Sequence, residues 1–250
     1  MRGSRIQGGW AARSRGSAQP NRPAPATSLA YSAQPPNEVT LAVEKLRPRE
    51  ICEEGEHLLS SSPNGDSVIN FYPAFLERAE ADALFLQMEQ ETPWLQRQDK
   101  YGLQPRLTAW YGEHGYTYTQ LTHQPQKMTP TLWALKERIR LASGCDYNSV
   151  LLNLYRDHRD SVDWHSDNEQ QLGRRPNIAS LSLGEQRLFQ LRRNPQGDFS
   201  GSEEVRLYLP HGSLLVMRGA TQADWQHSVP KDYHDKGPRI NLTFRTIFPP

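Results

Sequence analysis

Cysteine is nearly missing from this 250-residue chain: Cys52 and Cys145 are the only two, and no CxxC pairs them. That excludes a disulfide framework and a thiolate zinc site, and it suits a reducing compartment. Net charge is nearly missing as well, with Lys+Arg 29 against Asp+Glu 28. A polyanionic partner is therefore neither demanded nor excluded, and any basic surface must be local. No apolar run approaches the roughly 20 residues that span a bilayer. The longest, such as Leu214-Leu215-Val216-Met217, read as strands, so no membrane association is expected.

Acidic residues are absent from the N-terminal stretch until Glu38, while Arg2, Arg5, Arg13, Arg15 and Arg22 sit among Pro20, Pro23 and Pro25. Such a segment cannot bury enough apolar area to offset its ordering entropy, so it is expected to be disordered. An apolar signal core is lacking, which argues against secretion. A solvated tail, a nucleic-acid tether and a mitochondrial presequence all remain open for the arm. Scattered Pro and Gly spoil an amphipathic helix and favour a tail or an arm for a protein partner. Residues 48–65, closed by Ser60-Ser61-Ser62-Pro63-Asn64-Gly65, read as a linker. The division is then an arm and linker over 1–65 and one domain over 66–250.

What is present becomes periodic from Val68 onward. Ala81, Leu84, Phe85 and Met88 recur at helical spacing, which predicts an amphipathic helix over 77–91. A second helix is predicted from Pro130, after the capping Thr129, to Gly144, with Leu132, Leu135, Ile139 and Ala142 as its inner stripe. The remainder reads as short strands: 149–155, 178–183, 187–192, 205–209, 213–218 and 239–248. Helices followed by strands give an α+β class, and a jelly roll is the natural core because two sheets close around a pocket.

His165 and Asp167 lie two apart, so an extended segment sends both side chains to one face. With a third ligand from a distant strand they can cap one face of Fe(II), leaving the other open to a co-substrate and O2. His227 suits that place; His211 and His234 compete for it. Arg239, Asn241, Thr243 and Arg245 share one face of the last strand, opposite the apolar Ile240, Leu242 and Phe244. Guanidinium groups grip carboxylates with paired hydrogen bonds, so this face suits a dicarboxylate such as 2-oxoglutarate. Strand 149–155 repeats the design: Leu151, Asn153 and Tyr155 alternate with Val150, Leu152 and Leu154.

Trp164-His165-Ser166-Asp167, the Asn153–Tyr155 pair and Arg239-x-Asn241-x-Thr243-x-Arg245 resemble the AlkB family of Fe(II)- and 2-oxoglutarate-dependent dealkylating dioxygenases. Pro105-Arg106-Leu107-Thr108-Ala109-Trp110-Tyr111-Gly112 and the stretch from Gly219 to His227 are similar to its animal branch that repairs alkylated DNA and RNA. The resemblance covers 66–250. It implies a double-stranded β-helix (jelly-roll) core with N-terminal helices packed on one sheet. His165, Asp167 and His227 match the iron ligands and hence the catalytic centre. Arg239 and Arg245 match the arginines of the co-substrate site, and Asn153, Tyr155, Asn241 and Thr243 match its further contacts. Trp94 and Tyr116-Thr117-Tyr118 match the lid over the modified base, with Leu151, Asn168 and Glu169 beside it.

Two departures bear on base and strand preference. Asn168 stands where relatives carry an acid, though Glu169 remains, and the lid between Trp94 and Pro105 is several residues shorter. The activity implied is oxidative removal of N-methyl groups from 1-methyladenine and 3-methylcytosine in single-stranded DNA and RNA, releasing formaldehyde and succinate. A monomer in nucleus and cytoplasm is expected. Arg174-Arg175, Arg187 and Arg192-Arg193 are candidate contacts to the nucleic-acid backbone. An oxygenase acting on a protein side chain is the alternative, and a non-catalytic binding module a third reading.

Overall fold

Thr129 and Gly144 bracket a helix as the sequence predicts. The Thr129 side chain accepts a hydrogen bond from Leu132 N, Pro130 opens the first turn, and Gly144 closes the last with φ 68. In the computed structural model, which describes residues 47–99, 102–113, 116–118, 121–123, 125–195 and 203–248, this is the second of two long helices. The elements run β1 (Arg49–Glu50), β2 (Gly55–Ser62), β3 (Gly65–Tyr72), α1 (Arg78–Glu91), β4 (Leu95–Asp99), β5 (Gly102–Gly112), β6 (Tyr116–Tyr118), β7 (Leu121–His123), α2 (Pro130–Ser143), β8 (Ser149–Tyr155) and β9 (Val162–His165). After a single 3-10 turn come β10 (Ile178–Gly184), β11 (Arg187–Arg193), β12 (Glu204–Leu209), β13 (Leu214–Gly219), α3 (Thr221–Asp224), β14 (Trp225–Val229) and β15 (Arg239–Arg245).

The strands form two main sheets. The larger runs β2-β3-β13-β10-β15-β8-β5-β4 and the smaller β1-β12-β11-β14-β9, while β6 and β7 make a separate ribbon. Pairing is antiparallel throughout except between β1 and β12. The larger sheet buries both faces. Leu152, Leu154, Leu181, Ile240, Leu242 and Phe244 pack beneath α1 and α2, meeting Ala81, Met88, Leu132, Leu135 and Ile139. On the other face Ile69, Phe71, Ile178, Leu215 and Met217 meet Phe189, Leu191, Val205, Leu207, Trp225 and Val229 of the smaller sheet. Each such aliphatic contributes about 1.5–3 kcal/mol by leaving water. This is the expected α+β jelly roll, with both helices on one sheet.

Gly184 shows how tightly α1 sits on that sheet. Its φ is 87, and a side-chain carbon there would come 2.7 Å from the Phe85 ring. Gly184 also pairs with Arg239 across β10 and β15, so this close approach anchors the start of β15.

One expectation needs correction. Residues 48–65 are largely strand: β2 pairs with β3 from Gly55↔Phe71 to Ser62↔Gly65, so the folded region begins ahead of residue 66. Gly55-Glu-His-Leu-Leu-Ser-Ser-Ser has little strand propensity; pairing and the burial of Leu59 supply what local preference does not. The short β9 and β14, the edge strand β4 and its neighbour β5 also escape periodicity. Helix 77–91 and strands 149–155, 178–183, 187–192, 205–209 and 213–218 match within a residue or so, while β15 stops at Arg245, ahead of 248. Residues 1–46 lie outside the described residues.

Candidate active site

Alternation along β15 aims its two faces at different neighbours. Ile240, Leu242 and Phe244 enter the helix-covered core, while Arg239, Asn241, Thr243 and Arg245 line a cavity between the sheets. All seven residues of β15 are buried, so the polar face is an interior one. β8 lies alongside in register, with Tyr155 opposite Arg239, Asn153 opposite Asn241 and Leu151 opposite Thr243, and these three line the same cavity. Hydrogen bonds fix the stripe. Arg239 Nη2 donates to Ser182 Oγ at 2.9 Å, Asn241 Nδ2 to Ser180 Oγ at 2.7 Å, and Thr243 Oγ1 to Asn241 Oδ1 at 2.7 Å.

The smaller sheet supplies the opposite wall. His165 on β9 pairs across to His227 on β14, with ring centroids 4.2 Å apart. Asp167 follows β9, and the three side chains bring one ligand atom each to within 4.8 Å of one another. His165 Nδ1 lies 2.8 Å from Asp163 O. A carbonyl only accepts, so the imidazole proton sits on Nδ1 and Nε2 keeps a lone pair for a metal. Burial, together with the charges of Arg106 and Arg245, pushes His165 below its usual pKa against the pull of Asp167. Burial, the neighbouring His165 and Arg245 bring His227 down to about 3. Both imidazoles are thus neutral at physiological pH, as ligation requires. Asp167 is 1% exposed. Burial alone would raise its pKa, but the charge and hydrogen bonds of Arg245 outweigh it, and the carboxyl stays ionised. Arg245 Nη2 reaches both of its oxygens, at 2.8 and 3.0 Å.

At the other end of the stripe Arg239 is 1% exposed. Its Nε and Nη1 have no hydrogen-bond partner among the described residues, and no carboxylate there pairs with it. Burial pushes it down to about 10, with Tyr155 opposing and the charge of Arg187 adding to the push. A buried guanidinium without an anion is costly. The cavity therefore holds a three-donor metal site and, among the described residues, a cation lacking its anion. Fe(II) and 2-oxoglutarate fit both.

Other sequence candidates fall elsewhere. His211 accepts from Gly184 N at 2.7 Å and faces Asp82, while His234 is exposed in a loop; neither is a ligand. Trp94 packs against the helix-side core and donates to Glu89 O at 3.2 Å, outside the cavity lining. Asn168 is exposed and Glu169 half-buried; both directly follow Asp167 without lining the cavity. Tyr116-Thr117-Tyr118 form β6 of the ribbon. Arg187 is no surface cation: it is 1% exposed. Sequence reasoning missed Arg106, which lines the cavity and donates from Nε to Asn153 Oδ1 at 3.0 Å. Alternation of Gln104, Arg106 and Thr108 with Leu107 and Ala109 was the signal available.

Fold and site together define a 2-oxoglutarate- and Fe(II)-dependent oxygenase, and the chain belongs to the 2OG-Fe(II) oxygenase superfamily, whose family model matches residues 69–245. Within it the chain is similar to the AlkB homologues. It is 45% identical to alpha-ketoglutarate-dependent dioxygenase alkB homolog 3 of Mus musculus, over 98% of this chain and 95% of that one. The Homo sapiens counterpart is 51% identical over 81% of this chain and 74% of its own. DNA oxidative demethylase ALKBH2 of Bos taurus is 38% identical over 71% and 68%. Among solved structures, "The structure of OsALKBH1" superposes with a TM-score of 0.54 at 16% identity, covering 71% of this chain and 97% of that one; this bears on the fold alone.

Proposed function

We propose that the chain removes N-methyl groups from 1-methyladenine and 3-methylcytosine in single-stranded DNA and RNA, releasing formaldehyde and consuming 2-oxoglutarate and O2 to give succinate and CO2. The observation that carries the reading is its 45% identity, across 98% of the chain, to a dioxygenase of the AlkB type. Iron, with 2-oxoglutarate and O2, supplies the oxidising power that turns a methyl C–H into C–OH. The rest is placement. His165, Asp167 and His227 hold the metal through neutral imidazoles and an ionised carboxylate. Arg239 would receive a carboxylate of 2-oxoglutarate, with Asn153 as a neutral donor beside it and Asn241 holding the stripe through Ser180 and Leu181 O. Arg245 keeps Asp167 ionised and oriented.

The substrate preference follows from the lesion. A methyl on N1 of adenine or N3 of cytosine blocks the pairing edge, so the damaged base leaves its stack at lower cost than an intact one, and a single strand costs least. Because Trp94 is tied to the helix-side core, the base-covering role passes in this reading to the β6–β7 ribbon. The same reading takes the chain as a monomer acting in nucleus and cytoplasm, with its Arg- and Pro-rich arm serving a protein partner, since scattered Pro and Gly disfavour the helix of a presequence.

The test is formaldehyde release from methylated single-stranded oligonucleotides with Fe(II) and 2-oxoglutarate at stated salt. Release from both lesions is expected. No turnover on either one, with 2-oxoglutarate consumption stimulated by protein extract instead, would transfer the reading to a protein side chain.

A further inference from the structure

β9 and β14 carry two of the three metal ligands, yet their own ladder is poor. β9 ends its sheet, is four residues long, and shares only His227↔His165 and Val229↔Val162 with β14, with a register irregularity between them. Functional donors must be held to within about 0.5 Å of their working geometry. A frayed edge pair does not provide that through its backbone.

Side chains supply what the ladder lacks, at both ends. At the metal end, Gln222 Oε1 accepts from Asp167 N at 2.9 Å, and Ser166 Oγ donates to Trp225 O at 2.9 Å. These two bonds cross between the turn bearing Asp167 and the segment that leads into His227. Gln222 is 1% exposed, and its Nε2 reaches Met217 Sδ at 3.3 Å, which fixes the amide's orientation. At the far end, Arg187 donates from Nη2 to Asp160 O and Pro230 O, both at 2.8 Å, and from Nη1 to Asp157 O at 3.1 Å. Asp160 precedes β9 and Pro230 follows β14, so one guanidinium ties the outer ends of both ligand strands. It also lies 5.6 Å from the Tyr155 ring, beside which Arg239 lies at 5.2 Å.

We infer that two separate clamps hold this edge pair: Gln222 with Ser166 positions the iron ligands, and Arg187 positions the dicarboxylate end through Tyr155 and its own charge. The inference rests on the Fe(II) and 2-oxoglutarate reading of the cavity. The clamps touch different residues. Gln222 and Ser166 act on backbone within two residues of a ligand, whereas Arg187 touches no ligand and neighbours the ring shared with Arg239. Two buried cations beside Tyr155 favour a dianion over a monoanion, and the spread donors of a guanidinium fork reach three separated carbonyls that a compact ammonium cannot span together.

The experiment needs no turnover. Mn(II) affinity is measured by the loss of the free-ion paramagnetic resonance signal, and 2-oxoglutarate affinity by calorimetry on Mn(II)-saturated protein. Gln222→Met removes the acceptor at similar volume; it should weaken Mn(II) about 10–100-fold, the usual worth of an outer-shell ligand partner, with 2-oxoglutarate affinity unchanged. Ser166→Ala, at a half-buried site, should move Mn(II) affinity in the same direction by less. Arg187→Gln should weaken 2-oxoglutarate on the order of tenfold and leave Mn(II) binding intact, and Arg187→Lys should recover part of that loss. Should Arg187→Gln fail to fold, Arg187→Lys against wild type reads the same split. Equal loss of both affinities in each variant would mean a merely structural role and overturn the clamps, as would no loss at all. Failure of the wild-type protein to bind Mn(II) or 2-oxoglutarate would overturn the reading beneath them.

Discussion

The two ends of the cavity handle buried charge in opposite ways. At the metal end Asp167 already has its counter-charge: Arg245 sits on both carboxylate oxygens, and the two imidazoles are neutral through burial. At the far end Arg239 is as deeply buried and has no anion among the described residues. The first end is balanced before anything binds; the second is balanced only by an incoming carboxylate. A site built this way keeps its ligand geometry while waiting for metal, and it uses the cost of an unpaired cation to favour co-substrate.

The sharpest way to break the comparison is Arg239→Met. Losing one partner of a buried charge pair costs about 2–5 kcal/mol, so 2-oxoglutarate affinity should fall roughly 30- to 4000-fold. Stability without ligand should hold or rise, because an uncompensated cation has been removed. Calorimetry and thermal unfolding of the same variant check both; lower affinity with equally lower stability would contradict the contrast.

Acid attacks the other end alone. His227 titrates near 3 in the folded chain against an ordinary value of about 6.5 in the unfolded one. Its contribution to stability is fully present above about pH 6.5 and is lost as pH falls toward 3, since the unfolded chain then binds the extra proton. One such proton costs about 1.4 kcal/mol per pH unit within that window. His165 shifts in the same direction, and Asp167, also lowered, adds a loss only below the ordinary carboxylate range. Denaturant unfolding of metal-free protein between pH 7 and 4 reads the slope, and Mn(II) affinity should be flat from pH 7 to 8. The smallest effect belongs to neither end. Thr129→Ala should cost about 1 kcal/mol by uncapping α2 and leave both affinities alone, a control on whether global stability is what the other measurements report.

Legibility in the sequence follows the range of the forces involved. Helix α2 was plain because Thr129, Pro130, Gly144 and the stripe Leu132–Leu135–Ile139 all act within a few turns. The polar face of β15 was plain because strand alternation is local. The serine-rich β2 was not, since its strand comes from pairing with β3. Arg187 looked like a surface cation, because only tertiary contacts bring three backbone carbonyls to it. Trp94 came from the resemblance alone, and its bond from the indole to Glu89 O at the end of α1 is a detail no local pattern shows.

By itself the sequence determined the chemistry available: two histidines and an aspartate for a metal, an arginine stripe for a dicarboxylate, and a chain without the thiols for another kind of centre. It also determined the family, since those residues keep their spacing. Spacing alone left His227, His211 and His234 open as partners of His165 and Asp167, because spacing along the chain does not measure distance across two sheets; the family resemblance pointed to His227, and the closed fold brings it there. Tertiary structure alone decided that Arg239 is buried without an anion among the described residues while Arg245 already has one. Burial and pairing depend on what lies opposite a side chain, and only the closed jelly roll puts anything there.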